Sequence, residues 1–274
     1  MTPATDDPVG HADVRTVGST DALPIAPALG LSLDAARMPR KSTLVNHRIL
    51  LISVLAVILG VASAYVAQLL MLLINLITDL CYYGRISDVI GPNARPGSFV
   101  LSPAGTAIGA WVILMPAIGG LTAGIMARWG SRAIQGHGIP EAMEQILTNE
   151  SNIPARMTWL KPVSSAFAIG TGGPFGAEGP IISTGGALGS LIGQLLRVTA
   201  NERKVLLAAG AAAGMAAVFG APVASLVLAV ELLLFELRPR SLIPVALATV
   251  TAVGVRYASY GAAPVFPMPD VPEP

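Results

Sequence analysis

Two long uncharged runs dominate the hydrophobic pattern of the chain. Residues 49–77 contain no charged side chain, and residues 104–127 form a second such run. An α-helix rises about 1.5 Å per residue, so each run is long enough for the roughly 30 Å hydrocarbon core of a bilayer. The pattern therefore predicts two membrane-spanning helices, the first of them tilted. A loop is expected over residues 78–103, and Pro116 is a candidate kink in the second helix.

The apolar runs become shorter in the second half of the chain. These runs are 162–177, 179–196, 205–219, 222–230 and 241–255. The first two are separated by Glu178, and the next two are interrupted at Gly220-Ala221-Pro222. Short apolar segments interrupted by glycine and proline are typical of broken helices that meet near the bilayer midplane. Unpaired backbone at that depth must face protein or a water-filled cavity.

The composition agrees with a membrane protein. Of 274 residues, 53% are hydrophobic and 12% are charged, whereas soluble domains contain about a quarter charged residues. Residues 1–45 have no basic-then-apolar start and predict a disordered cytoplasmic tail rather than a signal peptide. The basic residues ahead of the first span favour a cytoplasmic N-terminus in a multi-pass protein of the cell inner (plasma) membrane. They are Arg15, Arg37, Arg40, Lys41 and Arg48.

The sequence lacks the residues that several functions would need. The net charge is +1, and no basic run is interleaved with aromatic residues, so we expect no nucleic-acid partner. Cys81 is the one cysteine, which excludes an internal disulfide framework. The histidines, His11, His47 and His137, lack metal-ligand spacing. We therefore expect neither a metal site nor a cofactor.

Glycine and proline recur together at predicted helix starts. Such pairs stand in Gly136-His137-Gly138-Ile139-Pro140, in Gly176-Ala177-Glu178-Gly179-Pro180 and in Gly220-Ala221-Pro222. Proline suits the first helical turn, and the free N–H groups of a helix start favour an anion. Ordinary interhelical turns use the same residues, so this alternative stays open.

Glu178 is the one ionisable residue between Lys161 and Arg197. An ionisable group inside a membrane segment is costly unless it faces a cavity or a partner. At a helix start, an ionised carboxylate can occupy the place of an anion, and a protonated one can release it. The position therefore predicts a residue that alternates between blocking and opening an anion site.

Three motifs resemble the CLC family of chloride channels and chloride/proton exchangers. GHGIPE at residues 136–141 is similar to the family's GSGIPE, and GAEGP at residues 176–180 is similar to its GREGP. Residues 206–231 resemble the segment that follows in the family, with its GAAAG run and F-N-A-P turn. The resemblance covers about residues 46–257 and implies an all-α membrane protein, a CLC-type bundle with broken helices.

The resemblance also implies the roles of individual residues. Glu178 matches the gate, which in exchangers also carries the proton. His137 stands where the family offers a serine hydroxyl to the central chloride, and the alternative is that it turns away and caps local backbone. Backbone N–H groups around Gly138, Ile139 and Gly179 are further anion-binding candidates. The implied ligand is chloride or a similar anion.

Other positions depart from the family pattern. Ala177 replaces the arginine of GREGP, and Leu232 stands at the position of the exchangers' inner glutamate, directly after Glu231. Leucine cannot transfer a proton, which favours channel-like or weakly coupled transport. With His137 in place of serine, the sequence does not fix the preference for chloride over other anions.

The family's second-half motifs are not found in this sequence. We therefore expect the first inverted repeat, about half of the usual subunit, with a loop or truncated end at residues 258–274. Such a chain would work as a homodimer or paired with the missing half. The alternative is a non-conducting remnant that acts as a membrane-embedded partner subunit. An enzyme is not expected, because Ser183 and Ser190 have no histidine in the adjacent motif.

Overall fold

The computed structural model describes residues 47–83, 109–131, 134, 136 and 138–261. This part of the chain contains eight α-helices and no strand. The helices are α1 (His47–Thr78), α2 (Met115–Trp129), α3 (Ile139–Thr148), α4 (Met157–Gly170), α5 (Glu178–Leu195), α6 (Ala200–Phe219), α7 (Pro222–Ala229) and α8 (Pro239–Tyr260). The predicted tail at residues 1–45 lies outside the described residues, as does His137.

Both predicted spans are helical where they are described. Helix α1 covers the run at residues 49–77 and continues into a π-helical turn, Asp79–Tyr83, so the loop predicted from residue 78 begins later. The second span is a 3₁₀ turn, Gly109–Ile113, followed by α2. The prediction of a kink at Pro116 is wrong. Pro116 is the second residue of α2, where its missing N–H leaves no hydrogen bond unmade.

Three described helices are long and apolar enough to cross a membrane. They are His47–Tyr83, Trp111–Trp129 and Pro239–Tyr260. The last of these is α8, which contains the run at residues 241–255 and ends at Tyr260 rather than at residue 257. The remainder of the predicted loop, residues 262–274, lies outside the described residues.

Glycines bring α5 and α6 into direct backbone contact. A Cβ on Gly185 would overlap the carbonyl group of Gly210, and a Cβ on Gly210 would overlap the carbonyl oxygen of Gly185. One turn further along α5, Gly189 meets the backbone of Leu206 in the same way, so the two helices are antiparallel. The glycine-rich runs therefore serve close helix packing, as small residues do in membrane bundles.

Helices α1 and α8 complete the core around α6. Gly60 of α1 faces Ala248, whose carbonyl oxygen would lie 2.6 Å from a Cβ at that glycine. Further along both helices, Gln68 Nε2 donates to Ser259 Oγ at 3.2 Å, so α1 and α8 run parallel. This core fixes the orientation of α5, whose first residue is Glu178.

Candidate functional site

Residues 136–141, which we call the elbow, lead into α3. Gly138 has φ of 101°, a conformation that side chains rarely adopt, and it precedes the first helical residue, Ile139. Pro140 occupies the second helical position, as predicted. The Gly138 N–H donates to the carboxylate of Glu141, which folds back over the glycines. The sequence therefore forms a helix start whose first backbone donor is already used.

The elbow lies directly against the start of α5. A Cβ on Gly138 would overlap the carbonyl group of Gly179 and would lie 2.7 Å from its Cα. The two glycines thus allow an approach that any side chain at residue 138 would prevent. Gly138 is buried, whereas Ile139 and Gly179 are half-buried. The structure therefore brings together three of the four predicted anion-binding residues, and the fourth, His137, lies outside the described residues.

Glu178 is the first residue of α5 and is exposed. No described residue forms a hydrogen bond or an ion pair with its carboxylate. Its neighbour Gly179 makes the contact with Gly138, so Glu178 lies one residue from the meeting point of the two helix starts. An unanchored carboxylate at this place can move towards the backbone donors or away from them.

The N–H groups of the two helix starts differ in availability. The first N–H groups of a helix have no partner within the helix. The N–H of Gly138 donates to the carboxylate of Glu141 in this structure. Pro140 and Pro180 carry no N–H. The residues directly before them, Ile139 and Gly179, do carry one at the start of their helices. Gly138 also allows the close approach to α5.

Lys161 holds the elbow from α4, and sequence reasoning missed it. The residue is only 2% exposed, and its ammonium donates to the carbonyl oxygens of Ile134 at 3.0 Å and Gly136 at 2.7 Å. The sequence signal was a single lysine in a helix that is otherwise uncharged, Met157–Gly170. A buried charge in such an apolar segment itself indicates a functional site.

The third glycine–proline start is a turn between helices. Gly220 ends α6 in the left-handed conformation with φ of 66°, and Pro222 opens α7. Helix α7 packs against α6 and α8. For this motif the interhelical-turn alternative is the better description.

The residues at the predicted proton-relay position lie in a second π-helical turn, Val230–Leu234. Glu231 is exposed in this turn, and Leu232 is half-buried. The turn packs against α3, the helix that begins at the elbow. Within the described ranges, no group of three or more His, Cys, Asp or Glu side chains is arranged to hold a metal ion.

Comparison with known proteins gives one family. A family model described as "Voltage gated chloride channel" matches residues 118–274. The chain is 31% identical over 161 residues to a putative chloride channel protein ClcB-like from Ralstonia nicotianae, covering 57% of this chain and 38% of that protein. It is 35% identical over 127 residues to an H⁺/Cl⁻ exchange transporter ClcA from Vibrio campbellii, covering 43% of this chain and 25% of that protein.

A solved structure shows the same fold. It is the crystal structure of a slow cyanobacterial Cl⁻/H⁺ antiporter, with a TM-score of 0.59 and 23% identity, over 78% of this chain and 48% of that one. The alignments thus span less than half of each of these relatives. They confirm the predicted all-helical fold of the CLC type, while the family match begins later than the predicted residue 46 and continues past residue 257. Together with the motifs at residues 136–141 and 176–180, these matches show that the chain belongs to the voltage gated chloride channel family.

Proposed function

We propose that the chain forms part of a CLC-type pathway for chloride or a similar anion, gated by Glu178. The contact between Gly138 and Gly179 is the observation that carries this proposal, because it places the starts of α3 and α5 side by side. Helix starts carry partial positive charge and free N–H groups, and two of them together favour an anion more than one does. Ile139 and Gly179 would supply the donors.

Glu178 would act as a movable competitor for this site. When ionised, its carboxylate has the charge and the acceptor atoms of a bound anion and occupies the N–H groups. When protonated, it no longer competes and the anion can pass. Its exposure and its lack of a partner among the described residues support a side chain that is free to exchange between these places.

Transport would be channel-like or weakly coupled to protons. A coupled exchanger needs a second acid that delivers the proton to Glu178. Leu232 cannot serve, and a carboxylate is found one residue earlier, at the exposed Glu231. His137 would add an imidazole N–H to the anion site and would influence anion preference, since a neutral ring donates one N–H and a protonated ring donates two.

The protein would be a multi-pass component of the inner membrane with a cytoplasmic N-terminus. Exposed apolar side chains on α2, α7 and α8 support contacts with lipid and with further subunits. These contacts would be made in a homodimer or with a second CLC half. The alternative is that the chain is a non-conducting, membrane-embedded partner subunit.

Chloride efflux from liposomes tests the proposal. The chain is reconstituted alone and together with the second half of a family relative, with and without an imposed proton gradient. We expect efflux that rises at acidic pH, and we expect Glu178→Gln to remove this pH dependence. Glu144→Gln, which changes an exposed acid of α3, is the matched control and should behave as wild type.

Two results would separate the alternatives. Proton movement that stops in Glu231→Gln would assign the relay to Glu231 and would contradict channel-like transport. Absence of efflux in both reconstitutions would contradict the transport proposal and would favour the non-conducting subunit.

A further inference from the structure

Helix α4 ends in a tight glycine turn, from which a short segment leads to Glu178. Gly172 has φ of 88°, and its N–H donates to the carbonyl oxygen of Ile169 at 2.9 Å. The N–H of Gly173 donates to the carbonyl oxygen of Ala168 at 3.1 Å. This pair of bonds is the Schellman arrangement, which satisfies two of the last carbonyl groups of a helix. The carbonyl group of Thr171 is not satisfied by it.

Tyr82 supplies the missing donor from the π-helical turn of α1. The Tyr82 hydroxyl donates to the carbonyl oxygen of Thr171 at 2.7 Å, and the side chain is 2% exposed. The hydroxyl lies so close to Gly172 that a Cβ there would overlap it. Here the turn brings a tyrosine hydroxyl to a buried carbonyl group that would otherwise lack a partner.

The same junction also includes α2. A Cβ on Gly119 would lie 2.7 Å from the Cβ of Thr171, so α2 and the end of α4 are in direct contact. The Thr171 hydroxyl donates to the carbonyl oxygen of Phe167 at 2.7 Å. Helices α1, α2 and α4 therefore meet at the point from which the chain departs towards Glu178.

The segment between this junction and α5 has few other attachments. Pro174, Phe175 and Gly176 are exposed, and Ala177 is half-buried. The position of the segment is therefore set by its two ends. One end is α5, which is fixed by its backbone contact with α6, and the other is the Thr171–Gly172 junction that Tyr82 holds.

We infer that Tyr82 is a positioning residue for Glu178. Its hydroxyl anchors the segment at residues 171–177 and thereby keeps the Glu178 carboxylate next to the helix starts that it blocks. This inference rests on the gating role proposed for Glu178. Without the anchor, the segment is free to shift, the ionised carboxylate blocks the site less completely, and anion flux depends less on protonation.

The test compares Tyr82→Phe with Tyr83→Phe in the liposome efflux assay between pH 4.5 and 7.5. Tyr83 lies in the same π-helical turn and makes no described hydrogen bond through its hydroxyl, so its variant is the matched control. One lost hydrogen bond corresponds to about a two- to tenfold change in an equilibrium. We expect Tyr82→Phe to raise efflux at pH 7.5 by about that factor, with a flatter pH profile, and Tyr83→Phe to match wild type.

A purely structural role gives a different result. It would lower efflux by one common factor at every pH, in parallel with the melting temperature, and that outcome would overturn the inference. Wild-type efflux in Tyr82→Phe would overturn it as well. If Tyr82→Phe changes the pH profile while Glu178→Gln does not, the gating proposal fails instead.

Hydrogen exchange tests the anchor without any flux. We expect amides of residues 171–178 to exchange faster in Tyr82→Phe, while those of residues 206–216 in α6 keep wild-type protection. Gly172→Ala should have the same effect, because its Cβ displaces the Tyr82 hydroxyl, and the double variant should be less than additive. Unchanged exchange at residues 171–178, or faster exchange throughout the chain, would overturn the inference.

Discussion

Replacement of Lys161 by methionine removes the buried charge that holds the elbow. Methionine has a similar length and no donor, so the carbonyl groups of Ile134 and Gly136 lose hydrogen bonds of 3.0 and 2.7 Å. Hydrogen bonds from charged donors contribute about 1.5–3 kcal/mol each. Burial of the ammonium group costs several kcal/mol and offsets part of this gain. We therefore expect a net loss of about 1–3 kcal/mol in the free energy of unfolding.

Thermal melting and chloride titration of the purified protein measure this loss. A change of 1 kcal/mol shifts the melting temperature by about 2–4 °C in a domain of this size. Chloride affinity should fall about tenfold for each 1.4 kcal/mol of binding free energy that is lost when the elbow is displaced. Arg156→Met, which removes an exposed charge directly before α4, should change neither property. Wild-type melting and wild-type chloride affinity in Lys161→Met would refute the reasoning.

Two further predictions concern glycines at close contacts. Gly138→Ala should weaken chloride binding, measured by calorimetry, by about tenfold or more. Its Cβ would overlap the carbonyl group of Gly179 and separate the two helix starts. Wild-type affinity in this variant would contradict the prediction. Gly210→Ala should lower the free energy of unfolding by about 1–3 kcal/mol, since its Cβ meets the backbone of Gly185. Gly254→Ala in α8 is the control, because a Cβ there would meet open space, and it should be neutral or slightly stabilising in the same melting assay. Equal losses of stability in Gly210→Ala and Gly254→Ala would show that the backbone contact is not the cause.

The helices and their starts were predictable because charge, glycine and proline mark them directly. Helix α1 fills the long uncharged run, and α5 begins at Glu178, the residue that interrupts the apolar pattern. Pro140 and Pro222 stand in the first turn of their helices, where a missing N–H has no cost. These features depend on local sequence and therefore need no knowledge of tertiary contacts.

The remaining features depend on contacts between distant residues. The π-helical turn at Asp79–Tyr83 was not predicted, and its Tyr82 hydroxyl donates to a carbonyl group 89 positions away in the sequence. The partners of Lys161 are backbone atoms, which every residue carries, so the sequence does not identify them. The kink predicted at Pro116 was wrong because this residue stands in the first turn of α2, directly after the 3₁₀ turn, where a missing N–H has no cost.

Chloride titration of wild type and Glu178→Gln as a function of pH tests the central claim most directly. The claim is that the starts of α3 and α5 hold an anion for which the Glu178 carboxylate competes. We predict that wild-type affinity for chloride falls as pH rises, and that Glu178→Gln binds chloride tightly at every pH. Equal affinity in the two proteins across the pH range, or no chloride binding in either, would contradict the account.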